Sequence, residues 1–216
     1  MINRIRRTLV IGGSLLGVSL LFPRAGQAQG KLELTPFFAS YYALTTMSND
    51  ANNDGSNVRI QQLSAPTYGG RISYWVSRTI GIEAAAGYST SGLRAFSKDT
   101  ASGGLSFAVT GNVMLASARM LYRPARTNLH LIVGGGIVHR GGTFWKDSHT
   151  NLNTKVTSPA VILGAGVRAS VTPKFALNVS LEGNLYSFDP DGTDPLKSKL
   201  QADVLLAIGV PLTLSH

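Results

Sequence analysis

The chain has no cysteine, and this absence excludes a disulfide framework and a thiolate metal site. It also lacks a helical membrane span after position 28, because the apolar stretches there are short and are interrupted by glycine, arginine, aspartate or asparagine. Helix signals are scarce, whereas 24 glycines and many β-branched residues favour strands. These absences direct the prediction towards an all-β protein.

The chain also lacks a concentrated basic stripe, which is the usual sequence signature of a nucleic-acid-binding surface. Four of the 20 basic residues and none of the 11 acidic ones lie within residues 1–28. The remaining 16 basic and 11 acidic residues give a net charge of +5, and they are scattered along the sequence. We therefore expect no nucleic-acid partner, and we assign these charges to turns and to a polar interior.

The first 28 residues have the three parts of a secretory signal peptide. Arg4, Arg6 and Arg7 form a basic start, residues 8–22 are apolar, and the small residues Gly26 and Ala28 suit cleavage. The apolar run is shorter than the roughly 20 residues that a transmembrane helix needs, which disfavours a membrane anchor. The predicted domains are therefore a signal peptide at 1–28 and one mature domain at 29–216.

The mature domain alternates short connections with long ones. Its segments of alternating apolar and polar residues end near positions 44, 76, 91, 122, 140, 171, 187 and 214. The connections at 77–79, 123–128 and 172–174 are short, and those at 45–63, 91–104, 141–156 and 188–197 are long. Short turns at one rim and long loops at the other are typical of small outer-membrane barrels.

The alternation of short and long connections predicts an all-β fold, an eight-stranded antiparallel up-and-down transmembrane β-barrel, after a cleaved signal peptide. We expect both ends of the mature chain and the short turns to face the periplasm, and the long loops to face outside. The last segment ends near position 214, so we expect no peptidoglycan-anchoring module after it.

Each segment has one apolar face and one small, polar or charged face. A narrow eight-stranded interior accepts small side chains and compensating charges, so we place the charged face inside and the apolar face against lipid. We expect one hydrogen-bonded network in the lumen, because buried charge is costly unless it is paired. The predicted members of this network are Arg71, Glu83, Arg168, Glu182 and Asp203. The alternative is a secreted lipocalin-like barrel, which would carry the charged face outside.

Two segments leave their register open. In the first, the aromatic pairs at 37–38 and 41–42 blur the alternation, and Pro36 suits an edge or a bulge. In the fourth, Arg119 shares parity with Val113, so that face is internal, or Arg119 lies near the periplasmic rim and reaches water, or a bulge resets the count. Interfacial aromatic girdles are predicted from the aromatic residues near strand ends, which are Tyr68, Tyr74, Trp75, Tyr88 and Tyr122.

We predict no catalytic, cofactor or metal site. The glycines at 134–136 lack the following helix and Lys-Ser/Thr of a phosphate loop. Residues 189–194 begin like a calcium loop, but Leu200 occupies the twelfth position, where glutamate is required. A lipid A-modifying enzyme would need a nucleophile and base near the outer leaflet, and His139 has no evident partner for this.

Several motifs resemble the bacterial outer-membrane β-barrel proteins of the OmpA-like/opacity type. They are ELTPFF at 33–38, YGGRISYW at 68–75, GIE at 81–83, NVML at 112–115 and GGG at 134–136. The likeness spans essentially the whole mature chain, although the last residues lack the terminal aromatic usual in such barrels. The resemblance implies an eight-stranded barrel domain and names no substrate.

We therefore expect an integral protein of a Gram-negative outer membrane with a structural or surface-interaction role. A narrow porin-like channel for small solutes is the alternative. The expected partners are outer-membrane lipid and lipopolysaccharide, the barrel-insertion machinery and an extracellular ligand that binds the long loops. Such loops vary without disturbing a barrel, so recognition is expected there.

Overall fold

The computed structural model describes residues 30–51, 57–98, 105–141, 156–172, 175–188 and 199–214. No helix long and apolar enough to span a membrane occurs in these ranges. The predicted signal peptide, the calcium-loop-like segment at 189–194 and the loop at 142–155 lie outside them. The described residues form thirteen strands: β1 (Lys31–Ala43), β2 (Ser48–Ala51), β3 (Asn57–Gln62), β4 (Ala65–Trp75), β5 (Ile80–Ser89), β6 (Leu93–Lys98), β7 (Leu105–Val109), β8 (Asn112–Tyr122), β9 (Leu129–Gly141), β10 (Val156–Thr172), β11 (Phe175–Phe188), β12 (Lys199–Gly209) and β13 (Leu212–Thr213).

Eight of these strands form a closed antiparallel barrel, which confirms the predicted fold. Their order is β12-β11-β10-β9-β8-β5-β4-β1, and β1 pairs back onto β12 to close the cylinder. Neighbouring barrel strands are consecutive along the chain once the loop strands are set aside, so the topology is up-and-down. Closure removes the edges of the barrel sheet, as a barrel in lipid requires.

The outer wall of the barrel is apolar and the lumen is polar. Leu181, Leu163 and Ile208 point outwards and are about half exposed, whereas Glu182 and Asp203 on the alternate positions are buried inside. A soluble barrel would bury the first set and expose the second. The observed orientation is that of a membrane barrel, and it excludes the lipocalin-like alternative.

The register of β1 explains its aromatic pairs and its proline. Phe37 and Tyr41 are buried in the lumen, whereas Phe38 and Tyr42 are exposed on the wall. Pro36 lies where the neighbouring strand is interrupted between β12 and β13, and its carbonyl accepts a hydrogen bond from the Val210 amide at 3.1 Å. The residue without an amide hydrogen thus sits where pairing is already broken.

Arg119 and Trp75 both point into the lumen. Arg119 is 6% exposed and shares its inner face with Val113 and Leu121, so the fourth segment has its odd-numbered face inside. Trp75 is also buried in the lumen, at 7% exposure, so its assignment to an interfacial girdle was wrong. Tyr68, Tyr74, Tyr88 and Tyr122 are exposed on the wall.

A second sheet continues one side of the barrel beyond its long-loop end. Strands β2, β3, β6 and β7 pair in the order β2-β3-β6-β7, and each follows or precedes a barrel strand across a break of a few residues. The sequence predicted only polar loops at 45–63 and 91–104, so the structure differs from the prediction here. We call the sheet formed by β2, β3, β6 and β7 the extension sheet. We call the barrel end that carries it the loop rim, and the opposite end the turn rim.

Candidate functional site

The lumen contains buried charged and polar side chains, which form three groups along its length. The middle network is centred on Glu182, the loop-rim network on Asp203, and the turn-rim cluster on Glu33. All three carboxylates are at most 4% exposed. Each group is supplied by strands from opposite sides of the barrel, so each one crosses the lumen.

The middle network joins two arginines through one carboxylate. Glu182 accepts a hydrogen bond from Arg71 at 2.7 Å through Oε1 and a further one from Arg119 through Oε2. Arg119 also pairs with Glu83 at 2.8 Å, and Glu83 accepts from the Ser73 hydroxyl at 2.5 Å. Two cations therefore meet two carboxylates, and the network is neutral.

The loop-rim network surrounds Asp203 with hydroxyl and guanidinium donors. Tyr41 donates to its Oδ2 at 2.6 Å, Tyr186 donates to the same oxygen at 2.5 Å, and Arg140 lies 3.4 Å from it. Arg140 also donates from Nε to the Gln62 side chain at 3.0 Å. Because Gln62 ends strand β3, this contact ties the extension sheet to the barrel interior.

A second contact fixes the joint between the barrel and the extension sheet. The Gln62 amide donates to the carbonyl and hydroxyl oxygens of Ser91 at 3.0 and 2.8 Å, and the Ser91 hydroxyl donates to the Leu63 carbonyl. Gln62 and Ser91 are both buried. The joint is therefore built from satisfied buried polar groups, which favour one fixed arrangement.

The turn-rim cluster is organised by Glu33 and Trp75. Glu33 pairs with Lys31 at 2.8 Å and with Arg168 at 2.8 Å, and it accepts a hydrogen bond from Trp75 Nε1 at 3.0 Å. The guanidinium of Arg123 stacks over the Trp75 ring at 4.1 Å from its centre. This cluster occupies the end of the lumen where the short turns meet.

The five residues predicted to form one network are distributed over the three groups. Arg71, Glu83 and Glu182 lie together in the middle network, whereas Arg168 joins the turn-rim cluster and Asp203 the loop-rim network. The cause is distance along the strands. Arg168 binds Glu33 at one end of β1, and Asp203 pairs with Ala43 at the other, roughly 33 Å apart at about 3.3 Å per residue.

The sequence prediction did not assign several residues that complete these groups. Arg140 and Tyr186 share the parity of inward residues on their strands, so alternation was a usable signal for both. The double aromatic pattern hid Tyr41, and Gln62 lies in a segment predicted to be a loop. The unassigned members include Glu33, Tyr41, Gln62, Arg119, Arg140 and Tyr186.

The described residues contain no group of three or more histidine, aspartate or glutamate side chains that could hold a metal ion. On the outer wall, His139 Nδ1 lies 2.7 Å from the Thr157 hydroxyl, a partner that the sequence did not reveal. Inside, the carboxylates are engaged by arginine or tyrosine. Such an arrangement fills and rigidifies the lumen.

No protein-family model matches this chain, and no curated protein matches it. The chain is similar to the solid-state NMR structure of the outer membrane protein AlkL in lipid bilayers, with a TM-score of 0.56, 15% identity, and coverage of 90% of this chain and 95% of that one. It is also similar to the crystal structure of OprG from Pseudomonas aeruginosa, with a TM-score of 0.55, 15% identity, and coverage of 88% and 99%. At these identities the likeness shows the fold.

The apolar wall, the charged lumen and this fold define an outer-membrane β-barrel protein. The eight-stranded barrel implied by the sequence resemblance and the predicted localisation in the outer membrane are both confirmed.

Proposed function

We propose that the protein is a closed, non-catalytic outer-membrane barrel that presents the extension sheet as an interaction surface. The observation that carries this proposal is the joint at Gln62, which connects a folded sheet outside the barrel to the buried network around Asp203. A sheet held by buried contacts is a rigid platform, and rigid platforms suit recognition by the loops they carry.

The filling of the lumen supports the closed state. The middle network spans the barrel with two buried arginines, and the cavity beside it, lined by Phe37, Glu182 and Leu205, has a volume of about 20 Å³. A space of this size holds about one water molecule. A continuous file of solutes would need the ion pairs of the middle network to separate, which costs several kcal/mol for buried partners.

Conductance separates the closed barrel from a narrow channel. In planar bilayers we expect the purified protein to give no steady ion current, because the middle network blocks the lumen. The neutral double variant Arg71→Ala/Glu182→Ala removes one paired cation and anion and should raise the current. A wild-type current that this double variant leaves unchanged would favour the channel and contradict the closed barrel.

Orientation in the membrane is testable with single cysteines, because the chain has none of its own. We expect a membrane-impermeant maleimide added to whole cells to label Ser64→Cys, next to the extension sheet, and to leave Arg78→Cys and Arg126→Cys at the turn rim unlabelled. All three positions are described and the arginines are exposed. Labelling at Arg126→Cys without labelling at Ser64→Cys would show that the turn rim faces outside, which is the opposite of the expected topology.

The role of the extension sheet is tested by replacing residues 45–62 and 93–109 with short turns. We expect the trimmed barrel to insert into the outer membrane at the level of the parent, because the eight barrel strands remain. Surface properties such as attachment should stay at the level of a deletion strain. If trimming leaves all surface properties intact, the role is structural alone.

A further inference from the structure

Charge is balanced in two of the three lumen groups and unbalanced in the third. In the middle network Arg71 and Arg119 meet Glu83 and Glu182, and at the loop rim Arg140 meets Asp203. In the turn-rim cluster three cations, Lys31, Arg123 and Arg168, surround Glu33 alone. Among the described lumen residues, this leaves an excess of two positive charges at one place.

Glu33 is already fully engaged and does not neutralise Arg123. Its two oxygens receive Lys31, two contacts from Arg168 and the Trp75 indole, all between 2.8 and 3.0 Å. Burial and the nearby positive charge of Arg168 lower the pKa of the Arg123 guanidinium, while Glu33 acts in the opposite direction. Glu33 and Arg168 therefore act on Arg123 electrostatically, through space.

The Arg123 guanidinium is held in place but keeps its hydrogen-bonding capacity. One face is stacked over Trp75, which leaves the N–H edge free because stacking uses the plane of the group. Among the residues that the structure describes, no carboxylate lies within ion-pair distance of it, and its Nε is buried without an acceptor. A stacked guanidinium with free N–H groups is preorganised to bind an oxyanion.

His130 supplies a second group with an unsatisfied nitrogen next to this region. It is 4% exposed, and its Nδ1 is buried without a hydrogen-bond partner in the described part of the chain. Its Cε1 and Nε2 atoms lie against Gly166, where a Cβ atom would come within 2.4 Å of the ring, so the absence of a side chain at Gly166 leaves room for the ring two residues from Arg168. A buried, unpartnered imidazole nitrogen calls for a hydrogen-bonding ligand.

We propose that Arg123, Arg168 and His130 form a binding site for a phosphate group at the turn rim. A phosphate carries up to two negative charges near neutral pH, which matches the excess positive charge of the cluster. Its oxygens accept from the N–H edge of Arg123 and from Arg168, which binds Glu33 through Nη1 and whose side chain is 20% exposed. The bound group is either free phosphate or the headgroup of a lipid in the adjacent leaflet.

Fluorescence of Trp75 reports on this site once the other tryptophan is replaced by Trp145→Phe. We expect inorganic phosphate, added at constant ionic strength to protein in a neutral detergent, to change Trp75 emission saturably. Arg168→Gln and Arg123→Gln should weaken binding by about tenfold or more, the effect of losing one charge-assisted hydrogen bond. Arg78→Gln and Arg126→Gln, also at the turn rim, should bind as the parent does. Line broadening of the phosphate phosphorus NMR signal gives the same comparison without relying on Trp75.

The Glu33→Gln substitution should have the opposite effect on phosphate affinity. It removes the one anion of the cluster, so phosphate should bind more tightly, and this prediction holds even if an arginine variant fails to fold. A non-saturable response, or equal responses in the parent, Arg168→Gln and Glu33→Gln, would overturn the proposal in favour of general ionic screening.

Nanodiscs distinguish the two sources of phosphate. If a lipid headgroup occupies the site, Trp75 emission in phosphatidylglycerol nanodiscs should already equal the phosphate-saturated value, and added phosphate should have no further effect. If free phosphate is the ligand, it should titrate in nanodiscs and in detergent alike. The site is independent of whether the lumen conducts, so the conductance result does not decide it.

Discussion

Glu182→Ala should lower the free energy of unfolding by about 3–5 kcal/mol, because it leaves two buried arginines without their shared carboxylate. Arg71 and Arg119 are 1% and 6% exposed, so water reaches neither of them easily. Urea unfolding of the protein in lipid vesicles measures the loss. Glu182→Gln should cost less, since it removes the charge but keeps an oxygen that accepts hydrogen bonds.

Two comparisons make this prediction specific to the buried network. Lys31→Ala breaks an ion pair whose lysine is 40% exposed, and it should cost about 1 kcal/mol or less. The double variant Arg71→Leu/Glu182→Leu removes both partners and should be more stable than Glu182→Ala, because no uncompensated charge remains at that pair. If Glu182→Ala costs no more than Lys31→Ala, the middle network is hydrated and the closed lumen is wrong.

The fold could be predicted because strand alternation and connection length are both local signals. Alternation of period two fixes which side chains share a face, and a narrow barrel with a charged face must place that face inside. This reasoning placed Leu181, Leu206 and Ile208 on the outer wall, where they are exposed. It left the inner face open in the first segment, where paired aromatics at 37–38 and 41–42 blur the period, and in the fourth, where Arg119 shares parity with Val113.

The partners within the lumen could not be predicted, because parity gives the direction of a side chain and not its height along the barrel axis. Arg168 and Asp203 both point inwards, yet they lie at opposite ends. Their heights depend on the stagger between neighbouring strands, which the sequence does not state. Trp75 is a different case. It has the parity of Arg71 and Ser73, so the alternation already indicated an inward position.

The extension sheet was missed because its strands are short and lie next to polar and glycine-containing segments. Strands β3 and β6 have six residues each, and β2 has four. A short alternating segment between polar residues is indistinguishable from a loop when it is considered alone. Its pairing is favoured because the barrel strands that flank it are already aligned, which lowers the entropic cost of adding residues to the ladder.

The second large effect concerns the outer wall. Leu206 lies near the middle of β12, faces outwards and is 45% exposed, so in the membrane it contacts the hydrocarbon core. Leu206→Arg should cost about 2–4 kcal/mol of unfolding free energy in vesicles, the penalty for a charged side chain near the bilayer midplane. The penalty arises from lipid alone, because the opposite face of the strand carries the lumen contacts.

A matched substitution on the same face, nearer the interface, tests the membrane origin of this penalty. Leu212 lies in β13 at the turn rim and is 48% exposed, so Leu212→Arg should cost about 0–1 kcal/mol. Ser64→Arg, at the joint with the extension sheet, should be similarly mild. The cost of arginine depends on depth along the barrel axis only if lipid surrounds the wall. Equal costs at Leu206 and Leu212 would contradict the membrane barrel, because a water-exposed wall penalises arginine at neither position.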